Sequence, residues 1–105
     1  MRLKPGVRLK GLCSQMALAT QVVVEAYRAF GAELTITSAN DSTHSAESFH
    51  YKGQALDFRT KDLPPEVDKA NLCASVQADL GEDFDVILED AGGVNEHLHI
   101  EYDPH

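Results

Sequence analysis

The sequence predicts a small α+β domain in which a mainly antiparallel sheet packs helices against one face and displays polar side chains on the other. Two long segments carry apolar residues at helical spacing, and four short ones read as strands, three of them with apolar and polar residues at period two. Glycine, proline, asparagine and aspartate cluster between them, as chain reversals require.

The first helix is expected from Ser14, a capping residue type, to just before Gly31, with Met16, Ala19, Val23, Tyr27 and Phe30 forming one apolar face. The run Val22, Val23, Val24 has strand character, but the cap, the closing glycine and the length of the segment favour helix. In "ELTITS", Leu34 and Ile36 share one face and Thr35 and Thr37 the other, the pattern of a half-buried strand. The polar loop "ANDSTHSAES" follows. In "ALDFR", Leu56 and Phe58 oppose Ala55, Asp57 and Arg59, so the aspartate faces away from the apolar side. "LPPEVDKANLCASVQADLG" reads as a second helix with prolines at its start, acids in its first turn, a stripe of Leu72, Val76 and Leu80, and Gly81 at its end. "FDVILE" and "HLHIEY" supply two further strands joined by the turn "DAGGVN".

At 105 residues the chain fits one domain over residues 1–105, and with 43% hydrophobic and 25% charged residues it has the composition of an ordinary globular protein. Its net charge of −8 weighs against nucleic acid and anionic membrane surfaces as partners. The basic amino terminus lacks the apolar run of a secretory signal, so synthesis in the cytoplasm is expected. Cys13 and Cys73 lack CxxC spacing and read as two reduced, buried thiols, although a pairing between them stays open.

The candidate chemistry lies in "SFHYKGQALD" and "NEHLHIEY". If residues 97–102 are extended, His97, His99 and Glu101 project to one face and Leu98, Ile100 and Tyr102 to the other. Together with His50 and Asp57, this set suits a divalent metal, because zinc takes imidazole nitrogen and carboxylate oxygen and a catalytic site keeps a place open for water. Two neutral histidines and one aspartate leave the centre positive, which acidifies a bound water. Simpler readings stand beside this one. His50 fits a surface loop, Asp57 could pair with Arg59 or Lys61, and Glu96 competes with Glu89, Asp90 and Glu101 for any acid–base role.

"SFHYKGQALD" matches S-x-H-x-x-G-x-A-x-D, and "EHLH" matches the closing E-x-x-H of the M15 peptidases. The chain thus resembles the D-alanyl-D-alanine carboxypeptidase and phage L-alanyl-D-glutamate endopeptidase group, within a superfamily shared with lysostaphin-type peptidases and the hedgehog domain. The resemblance implies a sheet carrying zinc on one face, with His50, Asp57 and His99 as zinc ligands and Glu96 as general base and acid. It implies that His97 stands beside the reacting oxygen. Gly53 would then allow the turn after His50, Ala55 would leave room beside the metal, and Ser48 would orient a ligand. The implied reaction is hydrolysis of a peptidoglycan stem peptide at a bond involving a D-residue. A monomeric phage or prophage wall peptidase of the endolysin type, acting after release or as part of a virion, is the expected form. A D,D-carboxypeptidase or dipeptidase and a non-catalytic zinc-binding module are the alternatives. The chain departs from many relatives in one respect: the loop "TSANDSTHSAES" has no arginine, leaving His44, Lys52 and Arg59 as candidates to replace it. The H-E-x-x-H helix of thermolysin-type peptidases is absent as well.

Overall fold

A computed structural model describes residues 1–39 and 54–104, so the predicted loop positions His44, Ser48, His50 and Gly53 lie outside the described residues. In chain order the elements are β1 (Arg2–Leu3), α1 (Ser14–Arg28), β2 (Thr35–Ser38), β3 (Ala55–Arg59), α2 (Lys69–Leu80), β4 (Phe84–Glu89) and β5 (His97–Tyr102). The strands form one sheet in the order β1-β2-β3-β5-β4. Only the β1–β2 pair is parallel; the other three pairs are antiparallel. The α+β class read from the sequence is the one observed.

Period-two alternation decides which side of the sheet is core. Leu56, Phe58, Leu98 and Ile100 are fully or almost fully buried and join Met16, Ala19, Val23 and Tyr27 of α1 and Leu72 and Val76 of α2 in one cluster. Burying such a side chain contributes about 1.5–3 kcal/mol, so the cluster holds β3 and β5 in register. Tyr27 adds a polar tie, its hydroxyl donating to the Arg59 carbonyl at 2.8 Å. At the outer edge of the sheet, Gln77 of α2 serves the backbone of β4. Its amide donates to the Phe84 carbonyl at 2.6 Å, and its oxygen accepts from the Val86 N–H at 3.1 Å.

Several boundaries differ from the sequence reading. Cys13, not Ser14, occupies the N-cap of α1 and makes no side-chain cap bond; the Ser14 hydroxyl donates to Gln15 Oε1 instead. Phe30 lies beyond the end of α1 and is exposed. The second helix begins only at Lys69, because Asp68 caps it by accepting from the Asn71 N–H at 3.1 Å. The two prolines and Glu66 therefore precede the helix, and its first turn holds no acid. Gly81 closes it at φ 89° and ψ −176°, a conformation open essentially to glycine alone. Strand β1 was not anticipated, since two exposed residues carry no periodicity. Cys13 and Cys73 are free and half-buried, so they are not a disulfide. Burial, helped by the nearby Glu96 carboxylate, pushes the Cys73 thiol up.

Truncation of the shared core should be severe. Phe58→Ala is expected to cost about 3–5 kcal/mol through the cavity it leaves, whereas Tyr27→Phe should cost about 1 kcal/mol by removing one hydrogen bond. Urea denaturation of both variants measures the difference; equal losses would contradict this division between packing and polar tie.

Candidate metal centre

The polar face of the sheet is assembled by the pairing of three strands. Asp57 of β3 stands directly across from His99 of β5, and Arg59 across from His97. On the other side of β5, Glu89 of β4 is registered with His97 and Ile87 with His99. Because side chains two apart share a face, Asp57, His97, His99, Glu89 and Glu101 converge on one surface. An irregularity between Ile36 and Ser38 brings Ser38 opposite Asp57, and the Thr37 hydroxyl donates to the Asp57 carbonyl at 3.4 Å. A bulge beside a functional side chain is a common means of aiming it.

His99 Nδ1 lies 2.7 Å from Asp57 Oδ1 and 3.6 Å from Glu89 Oε1. His97 Nε2 lies 2.8 Å from the same Glu89 oxygen and 3.7 Å from Asp57 Oδ1. Two ligands on one tetrahedral zinc, with bonds near 2.0–2.1 Å, stand about 3.3 Å apart. The observed separations bracket that value. The second nitrogen of each ring is already engaged: His97 Nδ1–H donates to the Asn95 carbonyl at 2.7 Å, and His99 Nε2 meets Glu101 Oε1 at 2.8 Å. Such a partner fixes ring orientation and leaves the opposite nitrogen for an ion. The acidic and histidine side chains of this face could therefore hold a metal ion, with Asp57, Glu89 and His97 offering ligand atoms within 4.8 Å of one another.

The electrostatics fit the same picture. Burial by itself would push the His99 imidazole down, but hydrogen bonds to Asp57 and Glu101 and the charge of Glu89 more than reverse this and hold it up at about 9. His97 follows the same logic: burial opposes its charge, and the Asn95 carbonyl, Asp57 and Glu89 together raise its pKa. Protons on the two rings offset the crowded carboxylates, a role a cation would also fill.

The predicted site residues are thus distributed unequally. Asp57, His97 and His99 are brought together, while His50 lies outside the described residues. Among the described residues Asp57 pairs with the two histidines rather than with Arg59 or Lys61. Glu96 sits just before β5 and turns elsewhere. Its Oε1 accepts from Lys69 Nζ at 2.6 Å and from the Thr60 hydroxyl at 2.5 Å, and its Oε2 accepts from the Gly92 N–H at 2.8 Å. Lys69, then Thr60 and Gly92, hold this carboxyl down at about 2. The turn that delivers Glu96 is built on Asp90, which adopts φ 50° and accepts from the Asn95 N–H at 3.1 Å. A β-carbon at Gly93 would collide with the Asp90 carboxylate.

Two contributors were given no place in the predicted metal shell. Glu89 reaches the centre from β4, and Glu101 buttresses His99 from its own strand. The alternation of "FDVILE" puts Glu89 on the face of Asp85, but only the β4–β5 register shows that this face meets His97. No protein-family model matches the chain, and no curated protein matches it.

The raised His99 pKa has a definite sign. Its contribution to the metal-free fold is complete below the unfolded value of 6.5 and disappears as pH rises through about 9. Zinc takes the deprotonated ring. The melting temperature of the metal-free protein should therefore fall between these limits while affinity for a divalent metal ion such as zinc, if the face holds one, rises. Thermal melts and competition titrations in the same buffers measure both, and a flat profile in either would contradict the assignment.

Proposed function

We propose that the protein is a zinc-dependent peptidase that hydrolyses peptidoglycan stem peptides at a bond involving a D-residue, as a phage or prophage endolysin-type endopeptidase. His50, Asp57 and His99 would hold the metal. The observation that supports this best is the facing pair Asp57 and His99, 2.7 Å apart, with the far nitrogen of His99 oriented by Glu101. Bound there, zinc would supply a Lewis acid that polarises a peptide carbonyl and acidifies water.

The chain's own groups supply the rest. His97 donates through Nδ1 to the Asn95 carbonyl, so a proton on Nε2 makes the ring cationic, and its raised pKa favours that form. In it, Nε2–H, which meets Glu89 Oε1 at 2.8 Å, would turn from that carboxylate to donate to negative charge developing on the carbonyl oxygen. Glu96 is ionised throughout the neutral range and is an acceptor at any working pH. Its Oε2 meets only the Gly92 N–H among the described residues, leaving a lone pair that can take a proton from the attacking water and pass it to the leaving amine. A carboxylate so strongly stabilised is a weak base, and loosening the Lys69 contact when substrate arrives would strengthen it.

That same contact favours a second reading, a zinc-binding module without catalysis, in which Glu96 is simply the acid of a structural ion pair. One substitution separates the two. Glu96→Gln should lower hydrolysis by about 100- to 10,000-fold and leave zinc content at the wild-type level. Muropeptide digestion followed by mass spectrometry, with elemental analysis of the same samples, reads both and also separates endopeptidase from D,D-carboxypeptidase products. Loss of zinc would make Glu96 a ligand, and full activity would move the base to Glu89 or Glu101. Intact zinc without cleavage by the wild type would favour the module.

A further inference from the structure

Beyond His97, at the end of the polar face, lies a cavity of about 480 Å³ whose lining differs sharply in charge from the metal centre. Lys4, Arg59, Lys61 and Lys69 line it, four of the nine basic residues in a chain of net charge −8. Its single lining carboxylate, Glu96, is matched by Lys69. Among the described residues no carboxylate forms an ion pair with Lys4, Arg59 or Lys61, so the cavity carries uncompensated positive charge. Glu33 and Asp62 line an adjoining cavity that shares Lys4 and Arg59, yet neither pairs with them.

The placement of Arg59 gives this charge a geometric meaning. Arg59 is registered with His97, and Asp57 with His99, one same-face step away along the two strands. That step is two residues, about 7 Å of extended chain. A peptide lying along the sheet with its reacting carbonyl at the Asp57–His99 pair would bring a group about two residues further on against Arg59. A guanidinium offers a planar fork matched to a carboxylate, and the lysines add charge without fixed direction.

We propose that this cavity is a specificity subsite in which Arg59, assisted by Lys61 and Lys4, binds a carboxylate of the peptide substrate about two residues from the cleaved bond. The inference rests on the peptidase reading and adds the substrate feature that the site selects. The carboxylate is either an acidic side chain or a free chain terminus, since both present the same oxygens.

The test uses a stem tetrapeptide with free carboxylates and two counterparts, one amidated at the internal acid and one at the C-terminus, with the zinc-loaded protein. Amidation of the recognised group should raise KM by about 10- to 100-fold, the range of a charge-assisted hydrogen bond, and the affected counterpart identifies the source. Arg59→Met and the exposed Lys61→Glu should raise KM for the free peptide and leave KM for that counterpart nearly unchanged. Equal KM values for all three peptides, or variants that weaken all three alike, would overturn the proposal. If the wild type cuts none of them, NMR titration with the same peptides still decides. Carboxylate-dependent shifts at Arg59 and Lys61 would keep the subsite while the peptidase reading falls, and their absence would remove both.

Discussion

The antiparallel register of β3 on β5 is the constraint on which the other features depend. Side chains alternate along both strands, so the pairing that sets Leu56 against Ile100 and Phe58 against Leu98 in the core also sets Asp57 against His99 on the opposite face. A slip by one residue would turn the apolar set outward. The core thereby holds together a polar face that would otherwise disperse, since Asp57, Glu89 and Glu101 gather three carboxylates around two imidazoles. At roughly 1.5–3 kcal/mol for each buried side chain, four core residues of these two strands outweigh the modest repulsion of a partly solvated charge cluster.

Charge changes sign along the same face. Around His99 the environment is carboxylate-rich and attracts protons or a cation; beyond His97 it becomes basic through Arg59, Lys61 and Lys4. His97 stands at the boundary, touching Glu89 on one side and lining the basic cavity on the other. Glu96, its chain neighbour, belongs to the basic side, where Lys69 of α2 reaches across to hold it. The two halves of one face thus differ in the sign of the charge they would attract, a carboxylate-rich group that could hold a metal ion beside a basic cavity.

Much of this was legible in the sequence because it rests on local periodicity. The alternation in "ALDFR" and "HLHIEY" placed Asp57, His97, His99 and Glu101 on polar faces, and the stripes of both helices identified their buried sides. What could not be read depends on contacts between distant segments. The role of Glu89 requires the β4–β5 register, and the capture of Glu96 requires α2 to deliver Lys69 and the chain after β3 to deliver Thr60. Helix starts were misjudged for a related reason, because Ser14 and the prolines are acceptable capping or first-turn residues in isolation. The competing Asp68 cap, and an N-cap at Cys13 without a side-chain bond, become evident only in three dimensions.

Whether one ion is held by residues of both β3 and β5 is most directly measured by zinc-edge X-ray absorption, with zinc content, on the wild type and on Asp57→Ala and His99→Ala. Binding between the strands gives about one zinc per chain, imidazole scattering in the wild type, and loss of most of the metal in either variant. Zinc that stays bound with an unchanged imidazole signal in both variants, or a wild type that takes up none, would contradict a metal centre built on this pair of strands.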